Sequence, residues 1–176
     1  MTLDEFFAEL DQHGTRVPLR LLDERLRDVT IDFADVQQFV HFGDATYRRN
    51  LLRAGPAYHA LILCWRPGQR SPIHDHRGSS CGVKVLKGSA TETVFERTAA
   101  GHIFPTKTRQ LAEGYCCGTQ DDDIHQLSNI DPTGGDLVTL HIYSPPLLVM
   151  GTYSLTSTKV GEFADRIYEF CEGAGI

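Results

Sequence analysis

From about Tyr58 onward the chain is cut into short runs rich in Val, Ile, Leu, Thr and aromatic residues, each closed by Gly, Pro, Asn or Asp. This texture constrains the fold more than any other feature, because runs of that length suit strands and are too short for helices that must bury a face. A mainly β domain is predicted, an antiparallel sandwich or small barrel. The expected strands cover 58–65, 82–86, 91–95, 115–117, 125–129 and 137–143. The run Asp131-Pro132-Thr133-Gly134-Gly135 reads as a turn, because Pro fixes φ and the glycines admit positive φ.

The first 45 or so residues follow the helical period instead. Thr2 and Glu5 have capping-box spacing, and Leu3, Phe6, Phe7 and Leu10 share a face before Gly14 ends the run. A second helix is expected over 18–27 and a third from Asp32 through Phe33, Val36, Phe39 and Val40. A last helix is expected over about 160–171, with Phe163, Ile167 and Phe170 at helical spacing. A chain of 176 residues that is 41% hydrophobic buries one substantial core. The expectation is one domain over 1–176: a helical segment at 1–45, the barrel at 46–150 and a C-terminal segment at 151–176.

Charge and leader signals exclude several classes. The formal net charge is -6 with both signs mixed along the chain, which gives no basic footprint for nucleic acid or an anionic membrane. No stretch approaches the ~20 apolar residues that span a bilayer, and MTLDEFFAELDQHG has no basic n-region. A soluble cytoplasmic protein acting as a monomer is expected. The cysteines (Cys64, Cys81, Cys116, Cys117, Cys171) are odd in number and form no CxxC pair. Reduced thiols, not disulfides or structural zinc, are the reading.

The histidines carry the chemistry. In Pro72-Ile73-His74-Asp75-His76 the two imidazoles are two residues apart, so on an extended strand both project from one face and can reach one metal, while Asp75 points away as a solvent or outer hydrogen-bonding group. Gly68, His74, His76, Cys81 and Gly88 reproduce the spacing of the first cupin motif, with Cys81 where most cupins have glutamate. Gly114, His125 and Asn129 resemble the second motif, although Gln120 and Asp122 replace its usual Pro and Gly. The resemblance implies a jelly-roll-like cupin barrel in which His74, His76 and His125 converge on one Fe(2+). Three neutral imidazoles without a carboxylate leave the ion's charge uncompensated and positions open, which favours an anionic substrate.

A closer resemblance lies in Tyr47-Arg48-Arg49-Asn50, Leu63-Cys64-Trp65, Ser71 to His76, Lys84 to Gly88, Glu92-Thr93 and His141-Ile142-Tyr143-Ser144-Pro145-Pro146. In order and spacing these are similar to the cysteine dioxygenase family. The resemblance implies oxidation of L-cysteine by O2 to L-cysteine sulfinate, with no external reductant. It places Arg49, and not Arg48, on the substrate carboxylate, a role that suits a guanidinium fork. It also implies a phenol near the metal from Tyr143, with His141 as its hydrogen-bond partner, Tyr47 in the pocket, Thr139 in the surrounding hydrogen-bonded shell, and a cis bond at Ser144-Pro145. Cys81 matches a cysteine that is joined to the tyrosine by a thioether in some members, so a Cys81-Tyr143 crosslink is a further expectation. Two alternatives stand beside this reading: a 3-mercaptopropionate or other small-thiol dioxygenase, for which the resemblance would place glutamine at Arg49, and a non-catalytic cupin binding zinc or nickel.

Overall fold

A computed structural model describes residues 1–120, 124–164 and 166–169. Among the described residues three short helices, α1 (Leu3–Leu10), α2 (Leu19–Asp28) and α3 (Phe33–Val36), precede twelve strands. These are β1 (Arg48–Ala54), β2 (His59–Trp65), β3 (Ile73–His74), β4 (Ser80–Lys87), β5 (Ser89–Arg97), β6 (Ile103–Ala112), β7 (Cys116–Gln120), β8 (Ile124–Ser128), β9 (Leu137–Ser144), β10 (Met150–Ser154), β11 (Ser157–Phe163) and β12 (Ile167–Tyr168).

The helices form for the reasons read from sequence. Thr2 Oγ1 accepts from Glu5 N at 3.2 Å and Glu5 Oε2 accepts from Thr2 N at 2.8 Å, a capping box whose cap contributes about 1 kcal/mol. In α2, Leu22 and Leu26 are buried while Arg20–Glu24 and Arg27–Asp23 pair along the exposed side. The third helix is shorter than expected: α3 passes into a 3-10 turn over Gln37–Phe39. Phe33, Val36 and Phe39 are spaced by three, which a 3-10 helix aligns as well as an α-helix does.

Two six-stranded sheets stack face to face without closing into a cylinder: β12-β1-β2-β9-β4-β7 and β11-β10-β3-β8-β5-β6. All pairs are antiparallel except β1 with β12. The jelly-roll-like, mainly β expectation therefore holds, as two distinct sheets rather than a closed barrel. The period of two divides β2 and β9 between two cores. Ala60, Ile62, Cys64, Val138, Leu140 and Ile142 face the helices, whereas Leu61, Leu63, Trp65, Leu137 and Tyr143 face the second sheet. Every residue of β9 is buried, which is why it reads as a continuous apolar run.

Helix α2 lies directly on β4. A Cβ at Gly82 would meet Leu26 Cδ1 at 2.4 Å, so only glycine permits that approach. Two residues on, Lys84 Nζ donates to the Leu26 and Val29 carbonyls at 2.8 and 2.7 Å. These bonds satisfy acceptors at the C-terminus of α2 and put a cation at its negative end. The predicted turn is present, with Gly134 N donating to Asp131 O and Gly134 at φ 71. Asn129 Nδ2 ties that turn to β2 through Gly135 O and Trp65 O, both at 2.9 Å. Ser144-Pro145 is cis as expected.

The predicted C-terminal helix is not formed. Residues 157–163 are β11, paired with β10, and Ile167–Tyr168 pair with β1. Val160, Phe163 and Ile167 fit a helical spacing, but Gly161 and the β-branched Thr158 and Val160 weaken a helix there, and the open edge of β10 supplies a partner. Phe170 and Cys171 of that expectation lie outside the described residues. Among the described residues no helix is long and apolar enough to cross a membrane.

Candidate metal centre and substrate cavity

The second sheet presents the histidines. His74 and His125 are register partners on β3 and β8, and His76 follows β3 where the chain turns through Arg77 and Gly78, both at positive φ. The ring centroids lie 4.7 to 5.3 Å apart, and one ligand nitrogen from each falls within 4.8 Å of the others. Strand β3 ends at His74, so His76 lies just beyond it, yet both rings join the cluster. Asp75 turns away as expected, though not into solvent: it accepts from Gly151 N at 3.0 Å and Tyr153 Oη at 2.6 Å.

Hydrogen bonding fixes the tautomers. His74 Nδ1 lies 3.0 Å from Pro72 O and His125 Nδ1 lies 2.9 Å from Glu92 Oε1. Both partners only accept, so each Nδ1 carries the hydrogen and Nε2 is the nitrogen left to face a metal. His125 Nε2 and both nitrogens of His76 are buried without a protein partner, a cost of about 1–3 kcal/mol each unless a ligand takes them up. Burial, reinforced by His125, pushes His74 down to about 3. Burial and the neighbouring His125, His74 and His141 push His76 well down. Imidazole nitrogens left without a protein partner in a buried site, with His74 and His76 held neutral by burial, fit a divalent cation.

The first sheet forms the opposite wall. On β1 the alternation sends Arg49 inward, 1% exposed, with its Nη2 donating to Leu147 O at 3.2 Å. Arg48 points the other way and lies 3.9 Å from the Tyr168 ring centroid, so the choice between the two arginines follows from strand phase. The Arg49 guanidinium carbon is 5.6 Å from the Tyr143 ring centroid. On β9, Thr139, His141 and Tyr143 share the inner face. His141 Nδ1 is 3.0 Å from Tyr143 Oη, His141 Nε2 is 3.0 Å from Thr139 Oγ1, and Trp65 Nε1 donates to Thr139 Oγ1 at 3.1 Å. Burial pushes His141 well below its ordinary value, with help from His125, Arg49 and His74. Tyr47 stacks on Trp65 at 4.2 Å. Arg49, Tyr47, Ser71, His74, His141 and Tyr143 line one narrow cavity. A larger depression of about 340 Å³, among Phe95, Arg97, Ile124 and Tyr153, touches none of these six residues.

Cys81 and Tyr143 are register partners on β4 and β9, both buried. Side chains directly opposite across an antiparallel pair have Cβ atoms about 4.5–5.5 Å apart. Every residue expected at the site is thus brought to one region. Sequence reading gave no role to Glu92 or Arg109: Glu92 Oε2 accepts from Arg109 Nε at 2.6 Å. Burial pushes Glu92 up, but the bonds and charges of His125 and Arg109 outweigh it and hold the carboxyl below its ordinary value. The available signal was an acid in phase with core residue Ala90 on the same strand.

Fold and site together define a two-sheet, mainly β domain with a buried three-histidine cluster that could hold a metal ion. Residues 24–156 match the family described as Cysteine dioxygenase type I, and the chain belongs to that family. It is 35% identical to "Cysteine dioxygenase type 1" of Rattus norvegicus over 148 residues, 82% of this chain and 71% of the relative. It is 35% identical to the Danio rerio protein of the same name over 124 residues, 68% of this chain. The match spans 61% of that relative's length. Among solved structures, a Thermus thermophilus protein, TT1209, superposes with a TM-score of 0.54 at 16% identity, covering 66% of this chain and 97% of that one; this likeness concerns the fold alone.

Proposed function

We propose that this protein is a thiol dioxygenase that converts L-cysteine and O2 to L-cysteine sulfinate, using iron held by His74, His76 and His125. One observation carries the reading: a buried three-histidine cluster, whose His74 shares one small cavity with the buried Arg49 guanidinium and the Tyr143 phenol. That arrangement suits a small molecule with a carboxylate at one end and a thiol at the other. The relatives named cysteine dioxygenase support the same activity.

A ferrous ion in this set would supply what no side chain can, the binding and activation of O2 beside a thiol. The chain's own groups do the rest. Arg49 anchors the substrate carboxylate by a charge-assisted bond worth about 1.5–3 kcal/mol, and its burial excludes competing water. Tyr143 offers a hydroxyl to the reacting end, and the Trp65–Thr139–His141 series holds that hydroxyl in place. The stacked Tyr47 and Trp65 rings close the wall. Both oxygen atoms end on the one sulfur, so the sulfinic step needs no further reductant. The working form is a monomer in the cytoplasm.

The test is anaerobic loading with Fe(II), then O2 uptake with L-cysteine, 3-mercaptopropionate and cysteamine in parallel. L-cysteine is expected to react fastest, with one O2 consumed per sulfinate formed. Preference for 3-mercaptopropionate overturns the substrate, and no uptake with any thiol overturns the enzyme.

A further inference from the structure

The three imidazoles are backed unequally. His74 leans on a neutral carbonyl, His76 has no hydrogen-bond partner on either nitrogen, and His125 leans on a carboxylate. Glu92 is 3% exposed and is the sole carboxylate among the buried described residues. An ionised carboxylate placed there costs several kcal/mol unless it is fully paired. Both of its oxygens are engaged, Oε1 with His125 and Oε2 with Arg109. Strand register builds the series. Arg109 on β6 is opposite Glu92, and Glu92 is opposite Leu127, two residues from His125 on the same inner face of β8. Arg109, one third exposed, also lies 5.5 Å from the Tyr115 ring centroid.

We propose that Glu92 and Arg109 are positioning residues that set how strongly His125 donates to the metal, and with it the iron affinity and reduction potential of the site. The inference rests on the three-histidine reading above. A carboxylate accepting the Nδ1 hydrogen draws it outward, fixes the ring and raises the basicity of Nε2. None of the three candidate ligands brings a negative charge, so Glu92 supplies it directly behind one of them. Arg109, of opposite sign, tempers that charge. The two residues therefore act in opposite directions on the potential, although each packs against the other.

The test measures Fe(II) affinity anaerobically, by competition with a chromophoric chelator, and the Fe(III)/Fe(II) midpoint potential. Glu92→Ala is expected to weaken iron binding about 10- to 100-fold. Glu92→Gln is nearly isosteric and its amide oxygen still accepts from Nδ1, so it loses less affinity but raises the potential. Arg109→Met lowers the potential. A merely structural pair gives no such reversal of sign. Unchanged potentials, or shifts of the same sign in Glu92→Gln and Arg109→Met, overturn the role. Wild-type protein that binds no Fe(II) overturns instead the three-histidine reading on which it rests.

Discussion

The two sheets divide the site between them. The second sheet contributes His74, His125 and Glu92 from β3, β8 and β5, with His76 just beyond β3, and the first contributes Arg49, Cys81, Thr139, His141 and Tyr143 from β1, β4 and β9. Their surroundings differ as well. The central strands of the first sheet are buried on both faces, by the helices and by the second sheet, whereas β6 and β11 of the second are largely exposed. The three-histidine cluster therefore sits on the sheet with a solvent face, and the groups proposed to face substrate sit on the sheet fixed from both sides. The most deeply packed wall is thus the one that must hold Arg49 and Tyr143 in register.

The comparison breaks most visibly at the histidines. Replacing His74, His76 or His125 by Ala is expected to remove most bound iron and nearly all O2 uptake, since each would supply one of the three proposed protein ligands. Metal analysis after anaerobic loading checks this, and full iron content with normal turnover in His125→Ala refutes the three-histidine centre. Changes on the first sheet should leave iron in place. Arg49→Gln is expected to raise KM for L-cysteine about 10- to 150-fold, the equivalent of losing a charge-assisted bond of about 1.5–3 kcal/mol. Wild-type protein that oxidises cysteamine, which has no carboxylate, as well as L-cysteine contradicts that anchoring role.

The same division explains what could be read from the sequence. The strands of the doubly buried sheet, β2, β4 and β9, announce themselves as apolar runs, and the motif spacing of His74, His76, Cys81 and His125 needs no tertiary information. Strand β1 was hidden because Arg48, Arg49 and Asn50 break its apolar pattern, and β6 because nearly all of it is exposed. The C-terminal segment misled for another reason. Its strand character comes from distant partners, β10 and β1, and local periodicity carries no trace of them. Glu92 was visible only as an acid at a core phase, and what it touches depends on the register of β5 with β6 and β8.

A subtler difference concerns protons in the metal-free protein. His74, His76 and His141 are held neutral by burial, while the unfolded chain takes up a proton on each near pH 6.5. The unfolded state binds more protons below that pH, so stability is fully present above it and falls as the pH drops. Each such histidine adds a slope of up to about 1.4 kcal/mol per pH unit, continuing to about pH 3 for His74. Urea unfolding of metal-free protein between about pH 6.5 and 5 reads it before carboxylates dominate. His141→Gln removes the first sheet's share and should lower the slope by about one proton. An unchanged slope means that His141 is protonated in the fold or stays neutral in both states.

The smallest expected effect lies within the first sheet, at Cys81. Cys81 and Tyr143 face each other across β4 and β9, and the proposed thioether would join the sulfur to the ring carbon beside the hydroxyl. Joining them removes one hydrogen from sulfur and one from the ring, about 2 Da in all, and O2 is the available oxidant. The bond should therefore accumulate only in iron-loaded protein that has turned over with thiol and O2. It would fix a phenol that His141 already holds by one hydrogen bond, so it adds order to a group that is largely ordered, and the gain is small. Cys81→Ala is then expected to lose only a fewfold in rate or coupling, and Tyr143→Phe more, because that change removes the hydroxyl itself. Intact mass and alkylation of Cys81 after extended turnover decide the covalent part. A thiol that stays fully alkylatable after many cycles makes Cys81 an ordinary buried cysteine, and the order at Tyr143 then rests on hydrogen bonding alone.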